Sequence, residues 1–270
     1  SKTVFQSNPH YVNYLWGKQE QIQYKNAKNE TLKGTLYYPV GYDANKKYPM
    51  VVSIYEELNF LKHNYFNPTM YNSMGFNVTN LTTQGYFVLL PDIKYELGNP
   101  GLSATDCVVA ATKEVLRKDV VLSDKIALVG HSFGGYETNF IVTQTNIFKT
   151  AISGASVYDL PSWYLSISNN SGDSEIWRFE SQQWRMGKSL YEDREGYERN
   201  SPSTWVENVT MPVLIWTGDK DPQINPNQSI AFYLALRRLN KKVVFLNYSN
   251  ESHSLLKKER FRKGTMDLFT

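Results

Sequence analysis

The sequence predicts an α/β protein built on a mostly parallel, doubly wound sheet. Six short apolar runs have the composition of buried strands, and the segments between them are long enough to hold helices. This alternation is typical of parallel strands that are covered on both faces. Nearer the N-terminus, residues 21–24 and 31–38 alternate polar and apolar side chains on either side of a turn at 26–29. They predict an antiparallel hairpin at the edge of the sheet.

The predicted elements follow one another along the chain. The strands are expected at residues 50–54, 86–90, 126–129, 150–153, 213–216 and 243–246. Helices are expected at 103–118, where apolar residues recur at near-helical spacing, and at 136–144 and 227–239. No internal repeat and no low-complexity linker interrupts this order, so the sequence indicates no second domain.

Composition narrows the class of protein. The 270 residues, 41% of them hydrophobic, suffice for one large core, and the net charge of +3 is mild and scattered. The basic cluster at 257–263 is expected to be the solvated face of a C-terminal helix, and no nucleic-acid partner is expected. No apolar run has the length of a membrane span, no signal peptide is seen, and the single Cys107 excludes an internal disulfide.

No metal or other cofactor is expected. The sequence does not decide the cellular compartment. We expect the periplasm or secretion if the full-length protein carries a signal peptide, and the cytoplasm otherwise.

A strand-turn-helix motif is the most informative feature of the chain. The apolar strand at 126–129 is followed by Gly-His-Ser-Phe-Gly at 130–134 and then by a stretch compatible with a helix. Glycines allow a sharp turn here, so that the serine hydroxyl stands clear and the free N–H groups of the helix N-terminus face the reacting oxygen. The motif predicts that Ser132 is the nucleophile of a serine hydrolase. The alternative is a plain strand-to-helix turn.

A histidine must follow the serine to act as the base in this kind of hydrolase. The chain has four histidines. His10 precedes any regular structure, His63 falls in an early loop, and His131 adjoins the serine, from which it is expected to face away. His253 lies in the loop after the strand predicted at 243–246 and is the expected base. The alternative for His253 is an ordinary surface histidine.

The acid is expected in the turn-rich loop after the strand predicted at 213–216, at the carboxyl edge of the sheet. Both Asp219 and Asp221 lie there. Aspartate is also an ordinary turn residue, so spacing alone leaves the choice open. In the mechanism that these residues would support, Ser132 attacks a carbonyl, His253 transfers its proton, and the aspartate holds the imidazole in the right tautomer.

These motifs together resemble a known family. The serine motif continues into Gly135 and Tyr136, and it is followed by Met-Pro-Val-Leu-Ile at 211–215, by Gly218-x-x-Asp221 and by Glu-Ser-His at 251–253. This set resembles the catalytic domain of the prolyl oligopeptidase family, in its dipeptidyl peptidase IV-like and acylaminoacyl peptidase-like branches. The likeness spans most of residues 20–260. It implies the α/β-hydrolase fold and selects Asp221 as the acid over Asp219.

The resemblance also implies roles for residues around the serine. Tyr55, directly after the first parallel strand, matches a tyrosine whose hydroxyl helps to hold the oxyanion, and the backbone N–H of Phe133 would be the second donor. Phe133 and Ile224 match positions that line the pocket for the residue before the cleaved bond. Trp163 or Tyr164 would supply the remaining wall.

Two departures from the family pattern affect this interpretation. Many relatives carry a glycine turn after Tyr55, whereas this chain has Glu56 and Glu57. Full-length members carry an N-terminal β-propeller, to which nothing here corresponds. We therefore expect residues 1–19 to be a crossover segment and residues 20–270 to be an excised catalytic domain, or alternatively a relative without the propeller. Dipeptidyl peptidases carry their substrate-gripping acidic pair on the propeller, so Glu56 and Glu57 are not expected to be that pair.

The expected function is hydrolysis of small peptides through an acyl-enzyme intermediate. A segment without clear periodicity, residues 168–187, is expected to lie over the site. The alternatives are a carboxylesterase of the same fold and a non-catalytic binding module, which would normally have lost a triad member. The expected partners are a peptide or small acyl substrate and the missing propeller, and the oligomeric state stays open.

Overall fold

A mixed sheet forms the centre of the computed structural model, which describes residues 5, 6 and 8–269. Within this part of the chain the sheet has eight strands in the order β1-β2-β4-β3-β5-β6-β7-β8. The strands are β1 Gln19–Lys25, β2 Thr31–Tyr37, β3 Tyr48–Ile54, β4 Phe87–Pro91, β5 Val121–His131, β6 Thr150–Gly154, β7 Val213–Gly218 and β8 Val243–Tyr248. Strands β1, β2 and β4 pair antiparallel, and every pairing from β4 to β8 is parallel. The predicted fold class, including the hairpin at the edge, is confirmed.

Helices occupy both faces of the sheet. The α-helices are α1 Val78–Thr83, α2 Pro100–Leu116, α3 Phe133–Gln144, α4 Leu160–Tyr164, α5 Ile176–Ser181, α6 Arg194–Arg199, α7 Asn227–Arg238 and α8 Lys258–Phe269. Short 3-10 helices are at Pro9–Asn13, Asn59–His63 and Pro202–Asn208. Because successive strand residues point to opposite faces, the core is divided into two layers. One layer packs against α2, α3 and α7, and the other packs against α1 and α8.

The alternation of side chains between the two layers is clearest in β3. Met50 and Val52 pack into the layer with α2, whereas Val51 packs into the layer with α1. All three are buried on a strand with neighbours on both sides. A parallel strand in this position therefore has apolar side chains on both faces, which explains why the sequence signal was a continuous apolar run.

The element boundaries differ from the predicted ones by a few residues. The strand predicted at 126–129 is the end of the longer β5, and α2 begins at Pro100, where proline is tolerated because a first-turn N–H has no helical partner. His10 lies in the first 3-10 helix and not before any regular structure. The short helices α4 to α6 were not predicted, because their few turns are too short to show a period. None of the helices in the described part of the chain has both the length and the apolar character needed to cross a bilayer.

Candidate active site

Ser132 occupies a sharp turn between β5 and α3. Its backbone has φ 60° and ψ −122°, a conformation that costs a non-glycine residue on the order of 1–3 kcal/mol. Two backbone hydrogen bonds hold the turn: Ser132 N–H donates to the carbonyl of Gly154 at 2.8 Å, and its own carbonyl accepts from Tyr136 at 3.0 Å. The sheet and the helix therefore fix the position of the serine from both sides.

Glycines around Ser132 permit this turn because backbone atoms approach them closely. A Cβ atom on Gly130 would lie 2.0 Å from the carbonyl oxygen of Gly134. A Cβ atom on Gly134 would lie 2.3 Å from the carbonyl oxygen of Ile54, at the end of the adjacent strand β3. Both contacts are impossible without moving backbone, so the Gly-x-Ser-x-Gly spacing is a steric requirement of this turn.

The structure brings Ser132, His253 and Asp221 together. His253 Nε2 lies 2.8 Å from Ser132 Oγ, and His253 Nδ1 lies 2.8 Å from Asp221 Oδ2. The second carboxylate oxygen of Asp221 accepts from the backbone N–H groups of Gln223 at 2.8 Å and Ile224 at 3.0 Å. The carboxylate is buried and its orientation is set by these three contacts. Such an arrangement can orient the imidazole so that Nε2 is free to take the serine proton.

Asp219, the competing aspartate, serves the loop instead. Its Oδ1 accepts from the backbone N–H of Asn250 at 2.7 Å, which ties the loop after β7 to the loop after β8. The two loops also approach at Gly218, where a Cβ atom would lie 2.3 Å from the carbonyl oxygen of Glu251. Both loops leave the sheet at its carboxyl edge. Asp221 in the first loop and His253 in the second can therefore meet beside Ser132.

His131 does not face away from the site, contrary to the sequence prediction. Its Nε2 lies 2.7 Å from the backbone carbonyl oxygen of His253 and therefore donates to it. Its ring stacks on Trp216 at 5.3 Å and lies 4.7 Å from the ring of His253. Burial lowers the pKa of His131 to about 4, so the ring is neutral at neutral pH. Neighbouring residues of a regular strand point to opposite faces, which would turn His131 away from Ser132. Ser132 has a positive φ and lies beyond the end of β5, so this alternation does not hold between the two residues.

Tyr55 and Phe133 lie on the other side of the serine. Tyr55 directly follows β3, and its ring meets the ring of Phe133 edge-on at 6.4 Å. Burial raises the pKa of Tyr55 above its ordinary value, so the hydroxyl keeps its proton at neutral pH and can donate it. Phe133 is the first residue of α3, where a backbone N–H has no partner within the helix. Both groups have the chemistry of oxyanion donors.

The last part of the segment 168–187, which the sequence predicted to lie over the site, contacts this side of it. Gln183 donates to the hydroxyl oxygen of Tyr55 at 3.0 Å, and Arg185 forms an ion pair with Glu56 at 2.6 Å. The Arg185 guanidinium also covers the ring of Tyr95, 4.2 Å from its centroid. Glu56 has φ 43°, a left-handed conformation that glycine adopts at lower cost. The Glu56 carboxylate thus holds Arg185, and with it the segment 168–187, which we call the covering segment, in place.

The four predicted pocket residues lie in one buried aromatic cluster. Phe133 is 1% exposed, Trp163 and Tyr164 are 2% exposed, and Ile224 is 6% exposed. The cluster also contains Phe179 and Trp184 from the segment 168–187 and Tyr197 from α6. The four residues do share a common place beside the serine, but they are closed off from solvent here. Their role in a substrate pocket stays a prediction.

A buried carboxyl group lies behind the serine on α3. Glu137 accepts a hydrogen bond from the hydroxyl of Tyr95 through Oε1, while no hydrogen bond to Oε2 is found within the described residues. Burial raises the pKa of Glu137 to about 8, so the carboxyl group is largely protonated at neutral pH. Sequence reasoning missed this residue, because a single glutamate on a helix carries no sign that it is buried.

A separate cavity of about 610 Å³ opens at Ser132 and His253. Its walls come from β3, from Trp216 on β7 and from the segment 58–78, for which the sequence predicted no helix or strand. The signal that could have found it is the number of large apolar residues in a stretch without helical or strand periodicity. Among the described residues, no group of three or more histidine, cysteine or acidic side chains is placed to hold a metal ion.

Comparisons with known proteins show the family of this chain. A sequence model of the prolyl oligopeptidase family matches residues 92–269. An uncharacterized peptidase, YuxL, of Bacillus subtilis (strain 168) is 27% identical over 240 residues, covering 87% of this chain and 35% of the relative. The acylamino-acid-releasing enzyme of Rattus norvegicus is 25% identical over 246 residues, covering 88% of this chain and 32% of the relative.

Solved structures show the same fold. A putative dipeptidyl aminopeptidase IV from Bacteroides ovatus superposes with a TM-score of 0.81 at 19% identity, over 98% of this chain and 37% of that chain. An acylaminoacyl peptidase from Pyrococcus horikoshii gives a TM-score of 0.77 at 21% identity, over 96% of this chain and 42% of that chain. The chain spans about a third of the length of the curated relatives given above. It belongs to the prolyl oligopeptidase family of peptidases, with the α/β-hydrolase fold.

Proposed function

We propose that this chain is the catalytic domain of a serine peptidase that cleaves small peptides. The observation that supports this most strongly is the continuous hydrogen-bonded series from Ser132 through His253 to Asp221, with both distances at 2.8 Å. The series ends on a serine that stands in a strained turn at the mouth of a cavity. Strain of this kind persists where the surrounding structure over-determines it, and it concentrates at active sites.

In the proposed reaction, Ser132 Oγ attacks the carbonyl carbon of the scissile bond and its proton passes to His253 Nε2. The oxyanion that forms accepts hydrogen bonds from the N–H of Phe133 and the hydroxyl of Tyr55. His253 then gives the proton to the leaving nitrogen, the carbon–nitrogen bond breaks, and an ester to Ser132 remains. Water repeats the sequence and releases the acid, while Asp221 keeps the proton on Nδ1 throughout.

The acyl side of the substrate is proposed to lie toward the aromatic cluster. Phe133, Ile224, Trp163 and Tyr164 would contact the residue before the cleaved bond. Because these side chains are buried, binding there requires the cluster to separate. A pocket that opens on binding would favour substrates whose apolar contacts replace those within the cluster.

The domain organisation is proposed from the same family resemblance. Residues 20–270 would form the catalytic unit, and residues 1–19 would be the connection to a further domain such as the family's propeller. The relatives given above are about three times as long as the stretch that they share with this chain, which is consistent with such a domain. Substrate selection by the full-length protein would then depend on both domains.

A small fluorophosphonate that reacts with activated serines provides the first test. We expect one label per chain, located on Ser132, and no label on the Ser132→Ala variant. The second test compares an amide and an ester that share one acyl group. Hydrolysis of both supports the peptidase. Labelling with ester hydrolysis alone would indicate a carboxylesterase, and absence of labelling would indicate a binding module.

A further inference from the structure

The cavity beside Ser132 has an apolar interior. Of the described residues that line it, none is an aspartate, glutamate, lysine or arginine. Its large apolar side chains include Leu58, Leu61, Phe66, Met74, Phe76 and Trp216. With about 610 Å³ the cavity exceeds the volume of any single amino-acid side chain and lies within the range of sites for small molecules. Ser132 and His253 both line it, so a group bound there is within reach of the chemistry.

The position of the cavity relative to the imidazole indicates which part of the substrate enters it. Asp221 occupies Nδ1 of His253, so the proton that protonates the leaving group is delivered from Nε2. His253 lines the cavity, and so does Tyr55, one of the two proposed oxyanion donors. The other donor is the N–H of Phe133, whose side chain belongs to the aromatic cluster and does not line the cavity. The cavity therefore extends from the place where His253 protonates the leaving group. The aromatic cluster lies on the acyl side.

We propose that this cavity binds the leaving-group side of the substrate and selects a bulky apolar or aromatic residue directly after the cleaved bond. The proposal rests on the proposed function. Complete burial of a leucine or phenylalanine side chain corresponds to about 10- to 100-fold in affinity relative to glycine. A charged side chain would be disfavoured, because the wall offers it no opposite charge.

Acyl transfer to added amines tests the cavity separately from the acyl side. The acyl-enzyme is formed from one ester, and amino-acid amides compete with water for it. The amine nitrogen attacks the ester carbon, its proton passes through His253 to Ser132 Oγ, and the carbon–Oγ bond breaks as the amide forms. This is peptide-bond cleavage in reverse, so the amine must occupy the leaving-group site. The measured quantity is the ratio of amide product to hydrolysis product.

We expect the amides of phenylalanine and leucine to capture the acyl group about 10- to 100-fold more efficiently than glycinamide. The amide of aspartate should be captured less efficiently than glycinamide. Equal capture of all four would overturn the proposal. In peptides that differ only in the residue after the cleaved bond, kcat/KM should follow the same order. Equal kcat/KM values across these peptides would also overturn the proposal.

Two methionines of the same segment provide a matched pair of variants. Met74 lines the cavity and is 45% exposed, whereas Met70 is 39% exposed and does not line it. Because both side chains are half-exposed, a glutamate at either position should leave the fold intact, which thermal melting checks. Met74→Glu should remove most of the preference for phenylalaninamide, and Met70→Glu should keep it. An unchanged preference in Met74→Glu, or a lost one in Met70→Glu, would refute the assignment of the cavity.

The inference and the proposed function can fail separately. A small fluorophosphonate releases fluoride, so its reaction with Ser132 needs the triad but makes little use of the cavity. If wild-type protein is not labelled, the proposed function fails and the inference fails with it. If it is labelled and the amine series is flat, only the inference fails.

Discussion

Replacement of Asp221 by asparagine tests the proposed triad most directly. The aspartate accepts three hydrogen bonds, one from His253 Nδ1 and two from the backbone N–H groups of Gln223 and Ile224. Asparagine can keep the two backbone contacts through its carbonyl oxygen. Its NH₂ group then faces Nδ1, which must become an acceptor, and the ring proton moves to Nε2. In that tautomer, His253 cannot accept the proton of Ser132.

The expected loss follows from this tautomer change. Correct geometry with the wrong tautomer lowers turnover by about three to four orders of magnitude in triads of this kind. That loss corresponds to about 4–5.5 kcal/mol of transition-state stabilisation. Stability should change little in comparison, because asparagine has the same shape, retains the two backbone hydrogen bonds and keeps the third with donor and acceptor exchanged.

Asp219→Asn is the matched control two residues away. Its amide oxygen can still accept from Asn250, so the loop should keep its shape and turnover should fall less than about tenfold. Both variants are assayed for kcat on one ester and one peptide, with thermal melting to check folding. If Asp219→Asn is the more damaging change, or if Asp221→Asn stays within about tenfold of wild type, the assignment of the acid is wrong.

Three further predictions concern the surroundings of the site. Gly134→Ala should destabilise the protein by at least about 1–3 kcal/mol in chemical denaturation, because its Cβ would lie 2.3 Å from the carbonyl oxygen of Ile54. His131→Phe keeps an aromatic ring but loses the hydrogen bond to the carbonyl of His253, so kcat should fall with KM unchanged and unfolding free energy should drop by about 1–3 kcal/mol. Unaltered kcat would show that this bond does not position His253. For Glu137, burial raises the pKa from 4.5 to about 8, so the folded state binds a proton that the unfolded state has lost and stability should decline as pH rises through that interval. Glu137→Gln should flatten this decline in melting temperature, and an identical slope in both proteins would exclude Glu137 as its source.

The amino-acid sequence alone determined the features that depend on neighbouring residues. The apolar runs predicted all six parallel strands, because a strand covered on both faces needs apolar side chains at consecutive positions. The strand-turn-helix motif at Ser132 was equally local, since the turn depends on glycines within a few residues of it. His253 could be selected because the order of elements places its loop at the same edge of the sheet as the serine.

Only the tertiary structure decided which side chains meet across distant segments. The loop after β7 contains two aspartates of similar local character, and the contact of Asp221 with His253 depends on how two loops 32 residues apart pack together. Gln183 reaches Tyr55 from 128 residues away, through a segment without periodicity. The direction of the His131 side chain and the cavity beside Met74 likewise come from packing of separate elements. Such contacts have no local signal, because the free energy that selects them comes from burial and hydrogen bonding between segments and not from the backbone preferences of either one.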